Sequence, residues 1–231
     1  MSNNIFLALD VDSQQRAEEL IHQTSNWVGG YKVGPRLLFS AGTEWVKSIS
    51  NKHRVFLDLK FYDIPNTMLS SIRSSFELGV EFVTIHALAG PEALKQIKEL
   101  EDELSKKRAF KVLAVTILTS YSEDTLPAVL KTSGVEKSVE ALAGEVFKSG
   151  LRGIVCSGVE VKNLKTVYPD LYCVTPGVRL SNSSNSDQKR VVTPRQALDS
   201  GSDMLVVGRP IYEADDAEAA ARQIFESVYE K

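Results

Sequence analysis

Residues 55–67 read VFLDLKFYDIPNT, a strand running into a helix with charge concentrated at the junction. Val55, Phe56 and Leu57 are apolar, while Asp58 and Lys60 stand at i and i+2 and so project from one face of the strand. Asp63 follows, and Pro65 suits the first turn of a helix that places Met68, Leu69, Ile72 and Phe76 on one stripe. Charges on the inward face of a strand are costly to bury and contribute little to packing. Their position at the end of this strand points to chemistry.

The same plan repeats on both sides of this unit. Apolar, β-rich runs occur at 5–10, 31–34, 54–60, 82–87, 110–119, 153–157, 172–177 and 204–209. Most are apolar on both faces, as parallel strands covered by helices must be. Helical spacing lies between them. Ala17, Leu20, Ile21 and Thr24 follow a cap at Ser13, Val139 to Phe147 run up to Gly150, and Ala217 to Val228 make the last stripe. Eight such β/α units in 231 residues predict a single-domain (β/α)8 TIM barrel spanning 1–231. A doubly wound open sheet is the alternative. The polar residues decide between them: Asp10, Lys32, Asp58, Lys60, His86, Thr119, Ser157, Arg179 and Arg209 all fall at or just past strand ends. A barrel gathers those ends at one mouth, whereas an open sheet spreads them along an edge.

Composition narrows the function. The chain is 43% hydrophobic and 25% charged with a net charge of −3, which gives no electrostatic case for nucleic acid or an anionic membrane as partner. MSNNIFLALD reads as a first strand rather than a leader, and no apolar run approaches a membrane span. Cys156 and Cys173 form no CxxC and are expected as buried free thiols in a reducing cytoplasm. No HxH, HExxH or cysteine cluster supports a metal site. GxGxxG and Walker A patterns are absent too, so neither a dinucleotide nor ATP is indicated.

Two clusters carry the chemistry. Asp10, Lys32, Asp58, Lys60 and Asp63 alternate in sign across three strand ends. A protonated lysine between carboxylates is a proton donor rather than a nucleophile, so the pattern favours protonation of a carbanion over imine formation. VTPGVR (174–179) and VVGR (206–209) end the seventh and eighth strands, where barrels of this type bind phosphate. There Gly177 and Gly208 allow close backbone approach and Arg209 offers a two-pronged contact. His86 is as readily a structural histidine as a member of the mouth. The long irregular segments at roughly 120–134 and 179–190, the second too polar to pack as core, read as candidate lids.

With these residues in view, the chain closely resembles the orotidine 5′-monophosphate decarboxylase family, nearly end to end. The motifs are FLALD with Asp10, YKVG with Lys32, and DxKxxDIPxT with Asp58, Lys60, Asp63 and Thr67. LTS with Thr119, TPGxR with Arg179, DQ with Asp187 and Gln188, and the final VGR with Gly208 and Arg209 complete the set. The resemblance implies decarboxylation of orotidine 5′-monophosphate to UMP and CO2, the last step of de novo UMP biosynthesis. It further implies a cytoplasmic, cofactor-free homodimer with shared active sites, in which Asp63 and Thr67 reach the partner's site. Lys60 would stabilise and protonate the C6 carbanion, and Asp58 would sit beside the leaving carboxylate. Asp10 and Lys32 would hold the ribose, and Thr119 would read the pyrimidine. Arg179, Gln188, Gly208 and Arg209 would hold the phosphate. Related sugar-phosphate barrels use a divalent metal and a carboxylate where this chain has Lys32; a non-catalytic ligand sensor is the other rival.

Overall fold

A computed structural model describes residues 3–180 and 192–229. Strands and helices alternate as β1 (Ile5–Ala8), α1 (Gln14–Thr24), β2 (Gly30–Val33), α2 (Pro35–Ser50), β3 (Val55–Phe61), α3 (Pro65–Glu77), β4 (Phe82–His86) and α4 (Pro91–Ser105). They continue as β5 (Lys111–Val115), α5 (Gly134–Lys148), β6 (Gly153–Val155), α6 (Gly158–Val167), β7 (Tyr172–Thr175), α7 (Pro194–Asp199), β8 (Met204–Val207), α8 (Arg209–Tyr212) and α9 (Ala217–Tyr229). The eight strands close in sequence order, each parallel to the next, with β8 paired to β1. This is a single-domain (β/α)8 TIM barrel, as the repeated plan predicts.

Local signals explain the boundaries. The Ser13 side chain accepts a hydrogen bond from the Arg16 amide at 3.2 Å and caps α1. Pro65 occupies the first turn of α3, where its missing N–H costs nothing. Beyond α5, Gly150 takes a φ of 93°, a left-handed stop. The run at 110–119 pairs only as far as Val115 because its neighbour β6 ends at Val155 and turns into α6. One further bond, from the Thr116 amide to the Val155 carbonyl, closes that ladder.

Alternation sorts the core into two layers. Outward residues such as Leu7, Tyr31, Leu57 and Val83 pack beneath the helices. Inward residues Phe6, Phe56, Phe82, Leu113, Val174 and Met204 form a separate cluster inside the barrel. Toward the C-terminal end Phe56 and Val206 of this cluster share the lining of a cavity with polar side chains.

Candidate active site

The mouth opens into a cavity of about 630 Å3. Asp10, Lys32, Asp58, Lys60, Thr119, Arg179, Gly208 and Arg209 all line it, so residues from six of the strand ends converge as a barrel requires. Four of the charges form a row. Lys32 Nζ donates to Asp10 Oδ1 at 2.9 Å and lies 3.4 Å from Asp58 Oδ2. Lys60 Nζ reaches both Asp58 oxygens, at 2.9 and 3.0 Å. Asp58 thus serves two ammonium groups from the middle of the row.

The two inner members are buried and the two outer ones face the cavity: side-chain exposure is 11% for Lys32 and 12% for Asp58, but 47% for Asp10 and 38% for Lys60. Burial alone would push the Asp58 carboxyl up. Lys32 and Lys60, with hydrogen bonds from Lys60 and Thr84, outweigh it and hold Asp58 below its ordinary value. For Lys32 burial pulls down, yet Asp58 and Asp10 together raise it. Both shifts favour the charged forms of the two central members, Lys32 and Asp58.

The backbone at Lys60 departs from simple strand alternation. Its φ is 49°, the one positive value at a non-glycine position among the described residues. Pairing between β3 and β4 slips there, with Leu57 opposite Val83 but Phe61 opposite Ile85. The i, i+2 reading therefore places the two charges together correctly without describing the local backbone. A residue that the charge pattern did not single out sits at this slip: the Thr84 hydroxyl donates to Asp58 Oδ1 at 3.0 Å and accepts from the Lys60 amide at 2.9 Å. Its signal was a polar residue between Phe82 and His86 on the inward side of a largely apolar strand. Tyr212 was likewise missed; it lines the cavity, and a Cβ added to Gly208 would stand 3.2 Å from its ring.

Beyond the charge row, Gly208, Arg209 and Pro210 line the cavity after β8, next to β1, and Pro176, Gly177, Val178 and Arg179 line it after β7. Gly177 has a φ of 76°, which glycine adopts without strain. Val178 and Val192 form a parallel bridge, and the Arg179 amide donates to the Val192 carbonyl at 3.0 Å. Asp187 and Gln188 lie outside the described residues.

Four expected contributors stand elsewhere. Asp63 and Thr67 are exposed and do not line the cavity of their own chain; the Asp63 carboxylate accepts from the Ile64 amide. Ser157 is fully buried and makes a capping box with Glu160 at the start of α6. His86 accepts from the Leu88 amide through Nδ1 at 3.3 Å, and burial followed by the Lys60 charge holds it below its ordinary value. Neither Ser157 nor His86 joins the mouth, because each satisfies a local backbone group. Cys156 and Cys173 are both buried thiols. Among the described residues, no group of three His, Cys, Asp or Glu side chains is placed to hold a metal ion.

A closed parallel barrel with a lysine–carboxylate row at its C-terminal mouth defines a (β/α)8-barrel enzyme. The chain belongs to the Orotidine 5′-phosphate decarboxylase / HUMPS family, whose profile matches residues 3–224. It is 41% identical over 230 residues to an orotidine 5′-phosphate decarboxylase of Trichlorobacter lovleyi, covering 98% of this chain and 95% of that one. It is 38% identical over 232 residues to the same-named protein of Carboxydothermus hydrogenoformans, covering 99% and 97%. The crystal structure of orotidine 5′-phosphate decarboxylase from Lactobacillus acidophilus superposes with a TM-score of 0.83 at 33% identity, covering 98% of this chain and 99% of that one.

Proposed function

We propose that this protein decarboxylates orotidine 5′-monophosphate to UMP and CO2 without a cofactor, through a C6 carbanion stabilised and protonated by Lys60. The observation that carries this reading is the row Asp10–Lys32–Asp58–Lys60, which ends in an ammonium group half-open to the cavity. Loss of CO2 from C6 leaves an electron pair that needs a nearby cation and then a proton, and one protonated lysine supplies both. Asp58 fixes that ammonium and sits beside the departing carboxylate. Asp10 and Lys32 hold the ribose, and Thr119 reads the pyrimidine. Arg179, Gly208 and Arg209, joined on the family pattern by Gln188, take the phosphate.

Magnitudes show why a row is needed. A unit-charge pair about 4 Å apart at an effective dielectric near 20 is worth roughly 4 kcal/mol, about three powers of ten in rate. One contact falls far short of what so unstable a carbanion demands, so several preorganised charges act together. Phosphate binding remote from C6 adds to this when it is spent on closing the site, which raises kcat as well as lowering KM.

The exposure of Asp63 and Thr67 outside their own cavity supports a homodimer in which both reach the partner's site. We assign the protein to the cytoplasm, as expected of UMP synthesis; among the described residues no helix is long and apolar enough to cross a membrane. The decisive experiment follows the absorbance of orotidine 5′-monophosphate with metal-free protein, wild type beside Lys60→Ala. Turnover by the wild type and its loss in the variant are expected. An inactive wild type rescued by magnesium would instead favour the metal-dependent sugar-phosphate branch of the barrel, and a fully active variant would remove Lys60 from the mechanism.

A further inference from the structure

We propose that Thr84 is the positioning residue that locks Asp58 and Lys60 into their reactive arrangement, an inference that rests on the decarboxylase reading above. Thr84 lies on β4 between Phe82 and His86, is fully buried, and does not line the cavity. It touches no substrate and acts through its neighbours. A hydroxyl has one proton to donate and lone pairs to accept with. Here the proton goes to Asp58 Oδ1, and a lone pair receives the Lys60 N–H.

These two bonds complete a ring. Lys60 holds Asp58 through its ammonium group, Asp58 accepts from Thr84, and Thr84 accepts from the main chain of Lys60. Both ends of the lysine are tied to one carboxylate, which restricts the flexible stem between them. The ring also explains the strained backbone. Where β3 slips against β4, the Lys60 amide goes to a side chain on β4, and the left-handed φ of 49° persists because that bond over-determines it. The hydroxyl thereby joins the two groups whose relative position sets the reaction.

The test is steady-state turnover of orotidine 5′-monophosphate by wild type, Thr84→Val and Thr84→Ser. Valine keeps the shape and removes the hydroxyl; serine keeps the hydroxyl. The expected result is a kcat about 10- to 100-fold lower for Thr84→Val with KM changed less than about threefold, the scale of a misplaced catalytic group. Thr84→Ser should recover kcat to within about threefold of wild type. An unchanged kcat in Thr84→Val overturns the proposal, as does an equal loss in both variants or a loss carried by KM. Should Thr84→Val not fold, amide exchange at Lys60 in the wild type decides: slow exchange supports the bond, and the rate of an open amide overturns it. A wild type that leaves the nucleotide untouched refutes the decarboxylase reading instead, and the exchange measurement still judges the hold of Thr84 on Lys60.

Discussion

Both ends of the barrel carry charge, but they arrange it differently. At the N-terminal floor Arg54 meets Glu81 through two bonds of 2.7 and 2.9 Å, a one-to-one pair. The guanidinium lies over Phe6 and Phe82, 5.1 and 5.7 Å from the ring centres, and Tyr172 stacks on Phe82 at 6.2 Å. At the mouth one carboxylate, Asp58, is shared by two lysines, and the row begins with an anion and ends with a cation. The floor pair cancels its own field and sits on aromatic packing. The mouth row keeps a direction and turns both ends, the Asp10 carboxylate and the Lys60 ammonium, to a cavity. Similar side chains thus close one end of the barrel and equip the other for chemistry, and the difference lies in what they face.

Crossed substitutions put this contrast to the sharpest test. Lys60→Ala is expected to lower kcat by about three powers of ten or more while changing unfolding free energy by less than about 1 kcal/mol, since the exposed end of the row contributes little to stability. Phe82→Ala should do the reverse, costing about 3–5 kcal/mol of stability by emptying the inner cluster while leaving kcat at permissive temperature within a few fold. Chemical unfolding and steady-state assays of the two variants check both halves. If the floor variant loses kcat as deeply as the mouth variant, the two ends do not divide labour.

A smaller effect separates the two walls of the mouth. Arg209→Ala should lower kcat/KM for the phosphorylated substrate by about 100-fold, the scale of a lost two-pronged anion contact, and change the phosphate-free nucleoside very little. Equal losses on both substrates would show that Arg209 does not read phosphate. The smallest effect concerns the residues that leave the cavity. Mixing inactive Lys60→Ala with inactive Asp63→Ala should restore about a quarter of wild-type activity, because random pairing makes half the dimers mixed and gives each of those one intact site. No recovery after exchange of subunits would place Asp63 in its own chain's function.

Much of this was legible in the chain. Eight apolar runs separated by helical stripes specify a barrel, because strands buried on both faces need helices on the outside and closure removes their edges. Convergence of Asp10, Lys32, Asp58, Lys60, Thr119, Arg179, Gly208 and Arg209 follows from their shared position at strand ends. His86 and Ser157 occupy similar positions yet turn to neighbouring amides, since a strand end also begins a turn whose backbone donors must be satisfied. Sequence position cannot distinguish a side chain that faces the mouth from one that caps the next turn.

The charge row and its strand-end placement were thus determined by the sequence alone, through the period of two along a strand and the order of βα units. The left-handed backbone at Lys60, the early end of β5 and the bond from Thr84 were decided only by the closed barrel. Each depends on the neighbouring strand: where β3 slips against β4, where β6 runs out beside β5, and which hydroxyl β4 presents at the slip. Strand register is a relation between segments distant in the chain, and only folding sets it.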